Sequence, residues 1–88
     1  MISKNVTITN KTGIHARPAS MFVQTASKFK SNITINKGEK KGSAKSLINI
    51  LALSLSNGSE VTITADGADE KEAVDALVKL VESKFGEE

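Results

Sequence analysis

Residues 12–20 read Thr12-Gly13-Ile14-His15-Ala16-Arg17-Pro18-Ala19-Ser20, and they hold the chain's only histidine and only proline. Proline suits the first turn of a helix, where its missing N–H has no partner to lose and its φ is already helical. Downstream, Ala19, Phe22, Val23, Ala26 and Phe29 recur at helical spacing, which predicts a helix from about Ala16 to Phe29 with one apolar face. His15 then stands just outside a helix N-terminus, where unpaired N–H groups and the positive end of the dipole favour an anion. Arg17 adds a fixed charge and a planar fork of donors matched to phosphate.

On either side of this stretch the pattern changes period. Residues 2–9 alternate Ile2, Lys4, Val6 and Ile8 with Ser3, Asn5, Thr7 and Thr9, as a strand buried on one face does. Asn10-Lys11-Thr12-Gly13 is a turn-forming break. Ile33 and Ile35 alternate with Asn32, Thr34 and Asn36 as a second strand. Lys37-Gly38-Glu39-Lys40 turns the chain into a short partner strand around Lys40 to Ser43. Ser46, a favoured N-cap, precedes Leu47, Ile48, Ile50, Leu51 and Leu53, which predict a short second helix.

Ser56-Asn57-Gly58 is a turn, and Val61, Ile63 and Ala65 mark the last strand. In the final helix Asp69 is the expected N-cap, with Glu72 at capping-box spacing. Ala73, Val74, Leu77, Leu80, Val81 and Phe85 form its stripe, and Gly86 is its stop. Every strand has one polar face, so the sheet is antiparallel or mixed, with the helices on its other side.

Bulk properties narrow the function. With 88 residues the chain is expected to be one domain, 1–88. It has no cysteine and one histidine, too few ligands for a thiolate or histidine metal site, so no metal and no cofactor are expected. Nothing resembles a signal peptide or membrane span, so a cytoplasmic protein without membrane insertion is expected. The net charge is +2, with Lys37, Lys40, Lys41 and Lys45 clustered mid-chain. Such a cluster is usually a solvated turn. The three phenylalanines lie on helical core stripes and there is no tyrosine or tryptophan, so no base-stacking platform for nucleic acid is evident.

With these residues in place the chain resembles the HPr family, the histidine-containing phosphocarriers of the sugar phosphotransferase system. The likeness spans essentially all 88 residues and rests on Gly13-Ile14-His15-Ala16-Arg17-Pro18-Ala19 and, more weakly, on Ala44-Lys45-Ser46-Leu47. The expected fold is an α/β (α+β) open-faced two-layer sandwich: a four-stranded antiparallel sheet covered on one face by three helices, in the order βαββαβα. The resemblance implies that His15, through Nδ1, takes a phosphoryl group from enzyme I and passes it to the EIIA component of a sugar permease. It further implies regulation at Ser46 by an HPr kinase/phosphorylase, with a catabolite-control transcription factor as partner. A regulatory or nitrogen-related paralogue is the alternative.

The residues make chemical sense of that role. Nucleophilic attack needs neutral imidazole, and the helix dipole and Arg17 both disfavour protonation of His15. After transfer, Arg17, the amides around Ala16 and the Thr12 hydroxyl are the expected cradle for the phosphate. A lone histidine before a helix is usually a surface residue or a cap; its joint placement with Arg17 and Pro18 points to the relay. Of the apolar second helix, Ile50 and Leu53 are the economical core residues. Leu47, Ile48 and Leu51 are left as a docking patch, joined by Ser20 and Met21 of the first helix. The carrier is expected to be a monomer. Family members usually carry glycine where Asn49 and Ser54 stand. Asn49 is expected at a left-handed helix end, and Ser54, less tolerant of that conformation, is expected to reshape the exit from the second helix.

Overall fold

The structure, a computed structural model, describes residues 1–9, 14 and 16–83. Strand β1 spans Ile2–Thr7, helix α1 Ala16–Ala26, β2 Asn32–Lys37, β3 Lys40–Ser43, α2 Leu47–Ala52, β4 Glu60–Asp66 and α3 Glu70–Glu82. The strands form one antiparallel sheet in the order β1-β4-β2-β3. The last strand therefore lies between the first two, and the only hairpin among the described residues is β2–β3, closed by Gly38 and Glu39 with Lys37 opposite Lys40.

The period-2 alternation sorts the sheet's faces as expected. Val6, Ile33, Ile35, Val61, Ile63 and Ala65 are buried on the helix side, together with Phe22 of α1, Ile50 of α2 and Ala73, Val74, Leu77 and Val81 of α3. Lys4, which shares parity with the apolar residues of β1, reaches α3 and meets the Asp75 carboxylate at 3.7 Å. The opposite face is polar and open. On it Thr62 Oγ1 donates to Asn5 Oδ1 at 2.7 Å, and the Ser3 and Thr64 hydroxyls lie 2.9 Å apart.

Three expectations change at the element ends. Helix α1 stops at Ala26, and the chain leaves it through turns at 27–30, so Phe29 packs on the core from a loop rather than from the helix. Strand β1 ends at Thr7, and Ile8 is held instead by hydrogen bonds with the β4 approach: its N–H to Ser59 O at 2.8 Å, its carbonyl from Gly58 N at 2.7 Å. Asp69 occupies the N-cap position of α3 but makes no side-chain cap bond. Its carboxylate turns away to accept from Lys30 N at 2.8 Å, Ser31 N at 3.0 Å and Ser31 Oγ. Three donors fixed by tertiary structure outcompete one free amide of its own helix. The loop before α3 is closed instead by Glu70, whose Oε1 accepts from Gly67 N at 3.1 Å. The expected end of this helix at Phe85 and Gly86 lies outside the described residues.

Candidate functional site

The residues around the N-terminus of α1 are set by two anchors. Ile14 is buried, and its N–H donates to Leu55 O at 2.8 Å, tying this segment to the chain between α2 and β4. Two residues on, Ala16 opens α1, with Pro18 and Ala19 in its first turn buried against the core. The same turn leaves Ala16 and Arg17 exposed, and Arg17 forms no ion pair among the described residues. A first-turn proline and alanine facing inward thus direct the guanidinium outward. Ser20 and Met21 follow, both half-buried. His15, Thr12 and the turn over residues 10–13 lie outside the described residues.

Helix α2 touches α1, and its burial pattern is unusual for so apolar a segment. Ile50 and Leu53 face the core, whereas Leu47, Ile48 and Leu51 are exposed by 41, 78 and 41%. A six-residue helix lying on the edge of the core can bury only one stripe. Of these three, Ile48 borders a hollow of ≈ 360 Å³ lined also by Lys40, Lys41, Asn49, Ala52 and Leu53.

Ser46 is the N-cap of α2, in extended conformation, with its Oγ accepting from Asn49 N at 3.3 Å. The Asn49 side chain is not at a helix end, as expected from sequence, but inside α2, where it donates from Nδ2 to Ser46 Oγ at 3.1 Å and accepts from Ser43 N at 3.1 Å. This contact was missed although the spacing Ser46-Leu47-Ile48-Asn49 is that of a capping box with asparagine in the glutamate position. The exit of α2 also departs from expectation. Ser54 itself takes the left-handed conformation, at φ 54°. The carbonyls that α2 leaves free there are met by Lys37, whose Nζ donates to Ser54 O at 2.9 Å and to Leu53 O at 3.4 Å.

The lysine cluster therefore divides. Lys45 likewise spends its charge internally, its Nζ donating to Phe29 O at 2.7 Å beyond the end of α1, whereas Lys40 and Lys41 stay exposed. Two of the four residues brace the ends of helices rather than forming a continuous cationic surface.

Residues 2–83 match the family described as the PTS HPr component phosphorylation site. The chain belongs to the HPr phosphocarrier family. It is 51% identical over 70 residues to the phosphocarrier protein HPr of Mycoplasma capricolum, covering 80% of this chain and 79% of that protein. The HPr-like protein Crh of Halalkalibacterium halodurans is 43% identical over 84 residues, covering 96% of this chain and all of the relative. The fold superimposes on the crystal structure of HPr-C-His from Thermoanaerobacter tengcongensis with a TM-score of 0.97, at 56% identity over 100% of this chain and 99% of that one. The open-faced sandwich of four antiparallel strands and three helices, in the order βαββαβα, is the HPr fold. As an HPr-family protein it has a general role in the phosphotransferase system. No helix among the described residues is long and apolar enough to cross a membrane.

Proposed function

We propose that this HPr-family protein relays a phosphoryl group through His15. Enzyme I, charged by phosphoenolpyruvate, is the donor, and the EIIA component of a sugar permease is the acceptor. The observation that carries this reading is the motif from Gly13 to Ala19 at the start of α1, where Arg17 is exposed and Pro18 and Ala19 are buried in the first turn. Arg17 is the cation that faces the phosphoryl group on its arrival and departure, and the Ala16 amide and Thr12 hydroxyl are the further donors to it. A carrier must release its cargo, so one exposed guanidinium serves better than a deep, multiply charged pocket. The protein has no turnover of its own; it is a transient substrate of the enzymes on either side and needs neither metal nor cofactor.

Ser46 is the second phosphate address. A phosphoserine there lies next to Lys45 and beside the exposed Leu47, Ile48 and Leu51, so the modification alters the charge of a surface suited to protein partners. Ser20 and Met21 extend that surface onto α1. An HPr kinase/phosphorylase and a catabolite-control transcription factor are the partners for this second role. The relay works in the cytoplasm as a monomer of one domain, since a single copy presents both addresses.

Incubation with phosphoenolpyruvate and enzyme I tests the relay. The expected product is an acid-labile, base-stable label on the wild type and none on His15→Ala. An unlabelled wild type, or a fully labelled His15→Ala, rules the relay out. A second reading, a regulatory paralogue acting through Ser46 alone, is favoured by the likeness to Crh. It requires the opposite pattern: no label from phosphoenolpyruvate, and label at Ser46 from ATP and kinase. A nitrogen-related paralogue shares the His15 label and differs in the EIIA that accepts it.

A further inference from the structure

The Ser46 hydroxyl has one proton to donate and two lone pairs to offer. Both lone pairs are engaged by one residue: Asn49 donates its backbone N–H at 3.3 Å and its side-chain Nδ2 at 3.1 Å. The other end of the same amide is also held, because Asn49 Oδ1 accepts from Ser43 N at 3.1 Å. Ser43 belongs to β3, the edge strand, so the asparagine side chain bridges the sheet edge and the cap of α2. Its seat is shaped by glycine. A Cβ placed on Gly42 would lie 2.9 Å from Asn49 Cβ, so only glycine at that position lets the side chain lie against the strand.

We infer that Asn49 is a latch on Ser46, a positioning residue that holds its hydroxyl in the cap and slows its phosphorylation. The inference rests on Ser46 being a phosphorylation site, as proposed above. In that reaction an Oγ lone pair forms the bond to the γ-phosphorus of a nucleoside triphosphate. The bond from that phosphorus to its bridging oxygen breaks, its electron pair leaves on the nucleoside diphosphate, and the hydroxyl proton passes to a base on the kinase. The attacking lone pair must first be freed. The backbone N–H cannot move without unwinding α2, so the Nδ2 bond is the one that yields. A hydrogen bond made to the nucleophile in the ground state and weakened in the transition state raises the barrier. A bond between neutral groups contributes about 0.5–1.5 kcal/mol, equivalent to a rate effect of roughly two- to tenfold.

The test compares wild type with Asn49→Ala, which removes the Nδ2 donor and favours the helix backbone. With ATP and a bacterial HPr kinase, kcat for Ser46 is expected to rise roughly two- to tenfold in Asn49→Ala. KM for the protein should stay unchanged, because Leu47, Ile48 and Leu51 are untouched. An equal or lower kcat overturns the latch. If phosphate enters Ser46 at equal kcat in both proteins, the latch fails and the phosphorylation site stands. If none enters Ser46 in either, both fail.

Discussion

The Asp69 carboxylate holds Ser31 by two donors at once, accepting from its backbone N–H at 3.0 Å and from its hydroxyl. Ser31 is 1% exposed, so these bonds fasten the link between α1 and β2, at its one buried residue, to the start of α3. The Ser31 hydroxyl first, then the Lys30 amide, hold the Asp69 carboxyl below its ordinary value of 3.8. A carboxyl depressed in the folded state stabilises it above the unfolded pKa, and that contribution is lost as the pH falls through the lower folded value. Asp69→Ala is expected to melt below wild type at neutral pH. The gap should narrow in acid, below the ordinary aspartate range. A gap that is constant from about pH 7 to about pH 2 would remove the carboxylate charge from the account.

Gly67 sits against the same link. A Cβ there would lie 2.7 Å from Ser31 Cα and 2.6 Å from its Oγ, and backbone atoms cannot yield as a flexible side chain can. Gly67→Ala is expected to lose about 1–3 kcal/mol in urea unfolding, as overpacked sites do. A neutral result would mean that the loop relaxes away from Ser31.

Ser54 pays a conformational cost at φ 54°, where a Cβ crowds the following carbonyl. Ser54→Gly removes that crowding, and glycine's greater freedom in the unfolded chain offsets part of the gain. The net stabilisation expected is about 0.5–1 kcal/mol by the shift of the urea midpoint at constant m. A lower midpoint would show that the serine side chain contributes more than its backbone costs.

Ile48 and Ile50 are two residues apart on α2 and should separate binding from stability. Ile50 is fully buried, so Ile50→Ala is expected to cost about 2–5 kcal/mol. Ile48 is 78% exposed, so Ile48→Ala should shift stability by no more than about 0.5 kcal/mol. The same change should raise KM for enzyme I, for EIIA, or for both. Unchanged KM values for both partners would take Ile48 out of the docking surface.

Arg17 is exposed and unpaired with any acid among the described residues, so its removal should leave the fold intact. Arg17→Ala is expected to slow phosphoryl transfer from enzyme I and to EIIA by about tenfold or more, the scale of a charge-assisted hydrogen bond. Stopped-flow or quench measurements in both directions check it. Unaltered rates in both directions would leave the guanidinium without a part in the relay.

Much of this protein was legible in the sequence because local periodicity reports which face of an element is buried. Alternation marked β1, β2 and β4, the turn at Gly38 implied β3, helical spacing marked α1 and α3, and the Ser46 cap before an apolar run marked α2, where Ile50 and Leu53 stood out as core. The motif around His15 and Arg17 was legible for a different reason: it joins unusual residues within a few positions. The rest depended on residues distant in the chain. The insertion of β4 between β1 and β2 leaves no local signal, because it is decided by which buried faces fit together between strands far apart in the chain, as Asn36 and Thr62 or Ile2 and Ala65 are. Asp69 looked like a helix cap until the Lys30 and Ser31 amides, 39 and 38 positions away, proved the better donors. Asn49 looked like a helix end until Ser43 and Gly42 of the edge strand gave its side chain a seat. The sequence by itself determined the elements, their faces and the phosphocarrier motif. Tertiary structure alone decided which polar side chains bond to which partners, because a hydrogen bond needs two groups brought together and periodicity describes only one.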